Sequence, residues 1–240
     1  MPSLFVSDLH LTARRPRTAD LFLQFLSGPA RQADALYILG DLFDYWVGDD
    51  NLSDGFGRRI CDALAALAKF GTAIFFLPGN RDFLVGEDFA AASGLTILGD
   101  PTVCDVAGRP TLILHGDTLC TDDTDYQRFR ATVHTESWRR DFLALSVSAR
   151  HAQVDALRAR SETEKQTKPH CLMDVNSEAV ANAFRNHAVT RMIHGHTHRQ
   201  AVHEHVVDGR ICRRWVLGEW ESTGNALACD GSGCRWITIS

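Results

Sequence analysis

Five apolar segments of this chain each run directly into polar side chains that can bind a metal ion. Between them, apolar residues recur at helical spacing, as in 21–26 and 56–67. This alternation of buried strands with helices predicts an α/β fold, in which helices pack over a largely parallel sheet. The segments are 4–7, 35–39, 72–77, 111–114 and 189–193, and they lead into Asp8 with His10, Asp41, Asn80 to Asp82, His115, and His196 with His198.

The five polar motifs are expected at one place, because ligands of open α/β sheets lie at the carboxyl ends of the strands. In an extended chain Asp8 and His10 point to the same side, since side chains alternate along a strand. Glycines precede Asp41, Asn80 and His196, and they allow the backbone to turn sharply there. Each motif alone is an ordinary turn, but five in the same setting predict a metal site.

A different pattern occupies residues 122–170, which contain no glycine and few strand signals. Between 126 and 170 nine basic residues stand against five acidic ones, whereas the whole chain carries a net charge of -5. Both a solvated helical pair and a basic, apolar-faced cap for an anionic ligand or anionic lipid fit this pattern. We therefore predict a core of 1–121 and 171–240 and a helical cap insertion of 122–170.

The chain resumes with a helix over 174–187 and, in the last forty residues, antiparallel strands. A hairpin turn is predicted at Asp208-Gly209. Seven cysteines without a CxxC pair indicate reduced, mostly buried thiols. A disulfide is conceivable at one point, where Cys229 and Cys234 flank a turn sequence.

Overall charge and hydropathy exclude some classes of function. The net charge of -5 argues against a general nucleic-acid binder. No apolar run is long enough to span a bilayer, so any membrane contact is expected from the side.

The potential ligands are too many for one ion with open positions, and they suit two. Nitrogen and oxygen donors without thiolate indicate Mn, Fe or Zn. A pair of such ions can activate water and clamp a phosphoryl group for in-line displacement. His194 and His203 lie outside the motifs and are expected to be structural. The seven ligands are Asp8, His10, Asp41, Asn80, His115, His196 and His198.

These motifs resemble those of the calcineurin-like metallophosphoesterases over almost the whole chain. Longer strings resemble one family among them, the UDP-2,3-diacylglucosamine pyrophosphatases of lipid A biosynthesis; the strings are 7–11, 40–46, 79–82, 115–123, 173–176 and 194–199. The resemblance implies a four-layer α/β/β/α sandwich with an inserted helical cap. It also implies hydrolysis of an acylated UDP-sugar, UDP-2,3-diacylglucosamine, to UMP and 2,3-diacylglucosamine 1-phosphate.

The same resemblance assigns roles to individual residues around two Mn²⁺ ions per chain. Asp41 would bridge the ions; Asp8, His10 and His198 would complete one, and Asn80, His115 and His196 the other. Substrate contacts would come from Asn80, Arg81, Asp123, Ser161, Lys165, Lys168 and His196. The acyl chains would need an apolar groove, for which the cap residues between 129 and 157 are candidates.

Arg81 departs from the wider family, in which many members carry His after the Gly-Asn pair. A histidine can protonate an alkoxide leaving group, whereas arginine keeps its proton at working pH. Arg81 can instead hold phosphate oxygens in a bidentate manner, as a catalytic residue. This favours a diphosphate substrate, whose phosphate leaving group departs without protonation. Gln200, where many relatives have Pro, is expected to alter only a loop.

The implied location is the cytoplasmic face of the bacterial inner membrane, as a peripheral protein. Neither a nucleic-acid partner nor a protein partner is indicated. Two rival interpretations stay open: a broader nucleotide pyrophosphatase or phosphodiesterase acting on soluble substrates, and a metal-free scaffold on the same fold.

Overall fold

Two mixed sheets form the centre of the protein. The computed structural model describes residues 1–52, 55–167 and 174–240, and the side chains of 159–167 lie outside that description. The first sheet contains β1 (Ser3–Val6), β2 (Ala35–Ile38), β3 (Ala73–Phe76), β4 (Thr96–Ile97), β10 (Gly224–Asp230) and β11 (Gly233–Ile239). Its strand order is β11-β10-β1-β2-β3-β4, with β1 to β4 parallel. Three parallel carboxyl ends, those of β1, β2 and β3, therefore lie side by side.

The second sheet brings two more carboxyl ends to the same region. It contains β5 (Thr102–Asp105), β6 (Pro110–Ile113), β7 (Arg191–His194), β8 (Ala201–Val207) and β9 (Arg210–Val216). The order is β5-β6-β7-β9-β8, in which β6, β7 and β9 are parallel neighbours. The predicted hairpin at Asp208-Gly209 connects β8 and β9.

Helices cover both sheets and form an additional group after β6. In chain order they are α1 (Pro16–Ser27), α2 (Gly55–Phe70), α3 (Glu87–Ser93), α4 (Thr124–Val133), α5 (Glu136–Leu143), α6 (Val147–Thr167) and α7 (Ser177–Asn186). α1 to α3 pack on the first sheet and α7 packs on the second. α4 to α6 occupy the segment for which the sequence predicts a helical cap.

Three separate apolar clusters fill the gaps between four layers. Val6 of β1 packs with Phe22 of α1 in the cluster under the helices. Phe5 points to the opposite face and packs with Ile193 of β7 between the sheets. Phe184 of α7 is buried against the outer face of the second sheet. A strand that is buried on both faces has a continuous apolar sequence. The positions of the three clusters confirm the four-layer α/β/β/α fold.

The structure departs from the sequence predictions mainly in its small elements. The spacing of apolar residues does not reveal the short α3, β4 or β5. The described part of the segment 122–170, which is 122–167, holds three helices rather than a pair. α5 starts as a new helix because the Thr135 hydroxyl accepts the backbone N–H of Trp138 as an N-cap. Apolar periodicity continues across such a break and cannot locate it.

The prediction of reduced cysteines is wrong for one pair. Cys229 and Cys234 are joined by a disulfide between directly opposite positions of the β10–β11 hairpin, with Cα atoms 4.1 Å apart. This separation is short enough for a bridge without movement of the backbone. Among the described residues Cys61, Cys104 and Cys212 are free.

Replacement of Phe22 by Ala tests the packing of the helical layer. Phe22 is fully buried and its ring contacts both Phe25 and Trp220. We expect Phe22→Ala to lower the free energy of unfolding by about 3–5 kcal/mol, measured by denaturant titration. The exposed Gln24 lies on the same helix, and Gln24→Ala is the control, with an expected change within about 0.5 kcal/mol. Equal effects of the two substitutions would contradict the assignment of this cluster as core.

Candidate metal centre

All five predicted motifs meet where the carboxyl ends of the two sheets face each other. Asp8, Asp41 and Asn80 follow β1, β2 and β3 of the first sheet, and His115 and His196 follow β6 and β7 of the second. Contacts across the sheets join them: Asn80 Oδ1 lies 2.8 Å from His115 Nε2, and the His196 backbone N–H donates to Asp8 Oδ2 at 2.9 Å. The structure therefore brings the predicted ligands into one site.

One group of donors consists of Asp8, His10 and His198. The Nε2 atom of His198 lies 3.3 Å from Asp8 Oδ1 and 3.3 Å from His10 Nε2. Potential ligand atoms of all three side chains lie within 4.8 Å of one another. One cation could bind at the centre of such a group.

A second group lies beside the first and includes Asp41, His115 and again Asp8, whose potential ligand atoms also lie within 4.8 Å of one another. Asn80 Oδ1 extends this group, since it is 3.0 Å from His196 Nδ1 as well as close to His115. His115 and His196 approach to 3.3 Å through their ring nitrogens.

Asp41 faces both groups, one carboxylate oxygen to each. Its Oδ2 lies 3.8 Å from His10 Nδ1 and its Oδ1 lies 3.7 Å from His115 Nε2. This is the orientation that a bridging carboxylate needs. Asp8 also belongs to both groups, a shared position that the sequence did not predict.

The buried donors fit divalent cations. Asp8 Oδ1 and His10 Nδ1 are buried and have no hydrogen-bond partner among the described residues, so a cation would satisfy atoms that are otherwise costly to bury. Burial raises the pKa of the Asp41 carboxyl to about 7, because a lone buried carboxylate is unfavourable as an anion. Burial also lowers the pKa of His10 to about 3 and that of His196 to about 4, which leaves neutral imidazoles, the form that binds metals.

Five of the predicted ligands have left-handed backbone conformations. Their φ angles lie between 48° and 66°, a region that residues other than glycine rarely occupy. Such strained positions cluster at functional sites, where the surrounding structure enforces them. The residues are Asp8, His10, Asp41, His196 and His198.

Asp8 and His10 were predicted to converge because they lie on an extended strand. The predicted cause is wrong. β1 ends at Val6, and both side chains reach the site through left-handed turns of the loop that follows. Their convergence itself is observed.

Two glycines allow the loops to approach each other closely. A Cβ atom at Gly195 would lie 2.3 Å from Asp8 Oδ2, and one at Gly79 would lie 2.3 Å from Asp41 Oδ1. These contacts leave no space for a side chain. Each glycine thus permits direct packing of one ligand loop on the carboxylate of another.

Two further carboxylates support the ligands, and the sequence analysis gave neither of them a role. Asp82 is fully buried, and it accepts backbone N–H groups from Asp41, Leu42, Phe43 and Gly79, which joins the loops after β2 and β3. Glu219 Oε2 lies 2.8 Å from His198 Nδ1. A carboxylate in this position fixes the tautomer and orientation of a ligand imidazole. Gly-Asn-Arg-Asp and Gly-Glu strings carry no signal for such supporting roles without the fold.

The predicted substrate residues fall on both sides of the site. Arg81 is mostly buried, and its Nε lies 3.6 Å from Asp41 Oδ2. Asp123 caps α4 by accepting the backbone N–H of Tyr126, whose ring centroid lies 6.0 Å from that of His196. α4 therefore borders the metal centre. The side chains of Ser161 and Lys165, and all of Lys168, lie outside the described residues.

The two histidines expected to be structural differ in their surroundings. His194 is fully buried and lies between the Arg214 guanidinium, 2.9 Å from its Nε2, and the Gly195 carbonyl, 2.9 Å from its Nδ1. The arginine can only donate, so His194 accepts at Nε2 and donates from Nδ1. His203 is exposed on β8.

Comparisons with known proteins match this chain nearly end to end. A family model described as calcineurin-like phosphoesterase matches residues 1–200. A UDP-2,3-diacylglucosamine hydrolase of Aromatoleum aromaticum is 52% identical over 97% of this chain and 95% of its own length. A protein of the same description from Nitrosococcus oceani is 49% identical over 97% of this chain and 93% of its own. A dimetal phosphatase structure from Danio rerio is 14% identical with a TM-score of 0.49, covering 100% of this chain and 99% of its own, a likeness too distant to carry an argument.

Removal of the charge on Glu219 tests the support of His198. We expect Glu219→Gln to weaken divalent-metal binding by about 10–100-fold, the usual effect of losing such an outer partner, measured by titration of metal-stripped protein. Glu221 is exposed two residues further along the chain, so Glu221→Gln should leave the affinity unchanged. An unaltered affinity in Glu219→Gln would show that His198 needs no carboxylate.

Proposed function

Because this chain belongs to the calcineurin-like phosphoesterase family, and within it to the UDP-2,3-diacylglucosamine hydrolases, we propose that it hydrolyses UDP-2,3-diacylglucosamine. The products are UMP and 2,3-diacylglucosamine 1-phosphate. The observation that carries this proposal is an identity of about half the residues over nearly the full length of both relatives.

The proposed cofactor is a pair of Mn²⁺ ions. The donor set around Asp8 and Asp41 combines carboxylate oxygens, which suit manganese, with imidazole nitrogens, and it lacks thiolate. Asp8, His10 and His198 would hold one ion; Asn80, His115 and His196 would hold the other; Asp41 would bridge them. Such a pair supplies a water nucleophile of lowered pKa and positive charge for phosphoryl transfer.

The proposed role of Arg81 is to bind phosphate oxygens. Its backbone N–H donates to Asp41 Oδ1 at 3.0 Å and its guanidinium Nη1 donates to Asp44 Oδ1 at 2.9 Å. The side chain therefore lies beside the bridging carboxylate, where it would neutralise charge that develops on a phosphoryl oxygen. Arg81 cannot donate a proton to a leaving group, and a diphosphate substrate removes that need.

The cap offers apolar surface for acyl chains and for a membrane. Trp138 and Phe142 stack on each other and pack towards the core, whereas Phe129, Leu143 and Leu145 are partly exposed. We propose that these exposed groups contact acyl chains or lipid at the cytoplasmic face of the inner membrane. Among the described residues no helix is both long and apolar enough to cross a bilayer.

Hydrolysis in ¹⁸O-labelled water tests the reaction. We expect UMP and the sugar 1-phosphate as products, with label in only one of them, because water attacks a single phosphorus. Asp41→Ala should reduce the rate by at least about a hundredfold. Loss of a residue that only supports a metal ligand already costs about 10–100-fold, and Asp41 is proposed as a ligand itself. Asp20→Ala removes an exposed carboxylate on α1 and should keep the wild-type rate. An equal rate on a UDP-sugar without acyl chains would instead favour a broad nucleotide pyrophosphatase.

Removal and return of metal tests the cofactor. Chelation should abolish hydrolysis, and Mn²⁺ should restore it and raise the melting temperature. An ion at a hundred times its dissociation constant stabilises the fold by about 2.7 kcal/mol. Thermal unfolding with and without Mn²⁺ measures this effect. An unchanged melting temperature together with no recovery of activity would favour the metal-free scaffold.

A further inference from the structure

One face of α6 docks on the loop that follows β2 and carries Asp41. Arg150, Val154 and Arg158 are spaced four residues apart and thus lie in a row along the helix. Val154 packs against the core cluster, and each arginine binds a carboxylate of the loop, Asp50 or Asp44.

The Arg150 end of this row is a fixed anchor. Arg150 is a charged side chain with only 1% exposure. Its guanidinium donates to the carbonyl oxygens of Val47 and Leu145, and it pairs with both carboxylate oxygens of Asp50. A buried cation with these partners holds α6 to the loop, because moving it away would leave its charge unpaired.

The Arg158 end reaches the metal centre through one carboxylate. Arg158 Nη1 lies 2.9 Å from Asp44 Oδ2, and Arg81 Nη1 lies 2.9 Å from Asp44 Oδ1. Arg81 in turn lies beside Asp41, with Nε 3.6 Å from Oδ2. A continuous series of charged contacts therefore joins the cap helix to the carboxylate between the two donor groups.

The charges of these residues explain how Asp44 can hold Arg81 and Arg158 close together. Two guanidinium groups share one mostly buried carboxylate, and the Arg81 guanidinium also lies 3.6 Å from Asp41 Oδ2. Without that carboxylate the two cations would repel each other at close range. With it they stay together beside the metal centre, where guanidinium groups are suited to bind the oxygens of a diphosphate.

We propose that Asp44 is a positioning residue for hydrolysis of the diphosphate. Asp44 holds the Arg81 guanidinium beside Asp41. Because Asp44 also pairs with Arg158, this placement of Arg81 depends on the docking of α6. The proposal rests on the proposed function for its substrate, but the contact between helix and loop can be tested without it.

A double-mutant cycle on the manganese-loaded protein tests the coupling. Arg158→Gln should raise KM for UDP-2,3-diacylglucosamine about tenfold with little change in kcat, the size of one lost charged hydrogen bond. Asp44→Asn should lower kcat/KM by about a hundredfold, as expected for a misplaced catalytic group. In the double variant, Arg158→Gln should add nothing to Asp44→Asn.

A conservative substitution and a remote substitution distinguish the loss of a positioning contact from a general loss of structure. Asp44→Glu keeps the carboxylate and should restore most of the activity lost in Asp44→Asn. Arg128 is an exposed residue of α4 paired with Asp125, so Arg128→Gln should match the wild type. Additive effects of Asp44→Asn and Arg158→Gln, or no recovery in Asp44→Glu, would overturn the proposal.

Hydrogen exchange of the backbone amides of 147–158 provides the second readout. Arg158 is about one-third exposed, so Arg158→Gln should fold and should exchange faster in this helix than either the wild type or Arg128→Gln. Unchanged exchange would overturn the coupling. A wild-type enzyme that leaves the lipid intact would instead refute the proposed function, and the exchange result would still decide whether the bridge holds α6.

Discussion

Burial of carboxylates at the ends of adjacent parallel strands is the constraint on which this site depends. Asp8, Asp41 and Asp82 are all almost inaccessible to water, and ionised groups in such surroundings need compensation. For Asp82 the compensation comes from four backbone N–H groups. Asp8 Oδ1 has no hydrogen-bond partner among the described residues, and Asp41 faces imidazoles of both donor groups. Divalent cations bound there would satisfy the carboxylate and imidazole atoms that lack hydrogen bonds.

The fold holds this arrangement through rigid loops rather than through the strands themselves. Five of the predicted ligands have left-handed conformations, and the loops approach each other closely at Gly79 and Gly195. Such geometry costs free energy in each loop and persists because neighbouring loops enforce it. A site prepared in this way needs little rearrangement when metal binds, which is the property that phosphoryl transfer demands of its ligands.

The sequence alone predicted the parts of this structure that rest on local patterns. Apolar runs identified the strands, and the polar residues that follow them were predicted correctly to lie close together, because both signals lie within a few residues. The support of His198 by Glu219 and the bridge from Arg158 to Asp44 could not be predicted in this way. They join residues that are distant in the chain, and only the folded structure brings these residues together. The family resemblance, rather than periodicity, supplied the second sheet layer.

Anomalous diffraction from crystals grown with Mn²⁺ tests the central claim most directly. We expect two peaks per chain, one among Asp8, His10 and His198 and one among Asn80, His115 and His196, with Asp41 between them. A single peak, or manganese bound elsewhere on the protein, would contradict a paired metal centre at the strand ends.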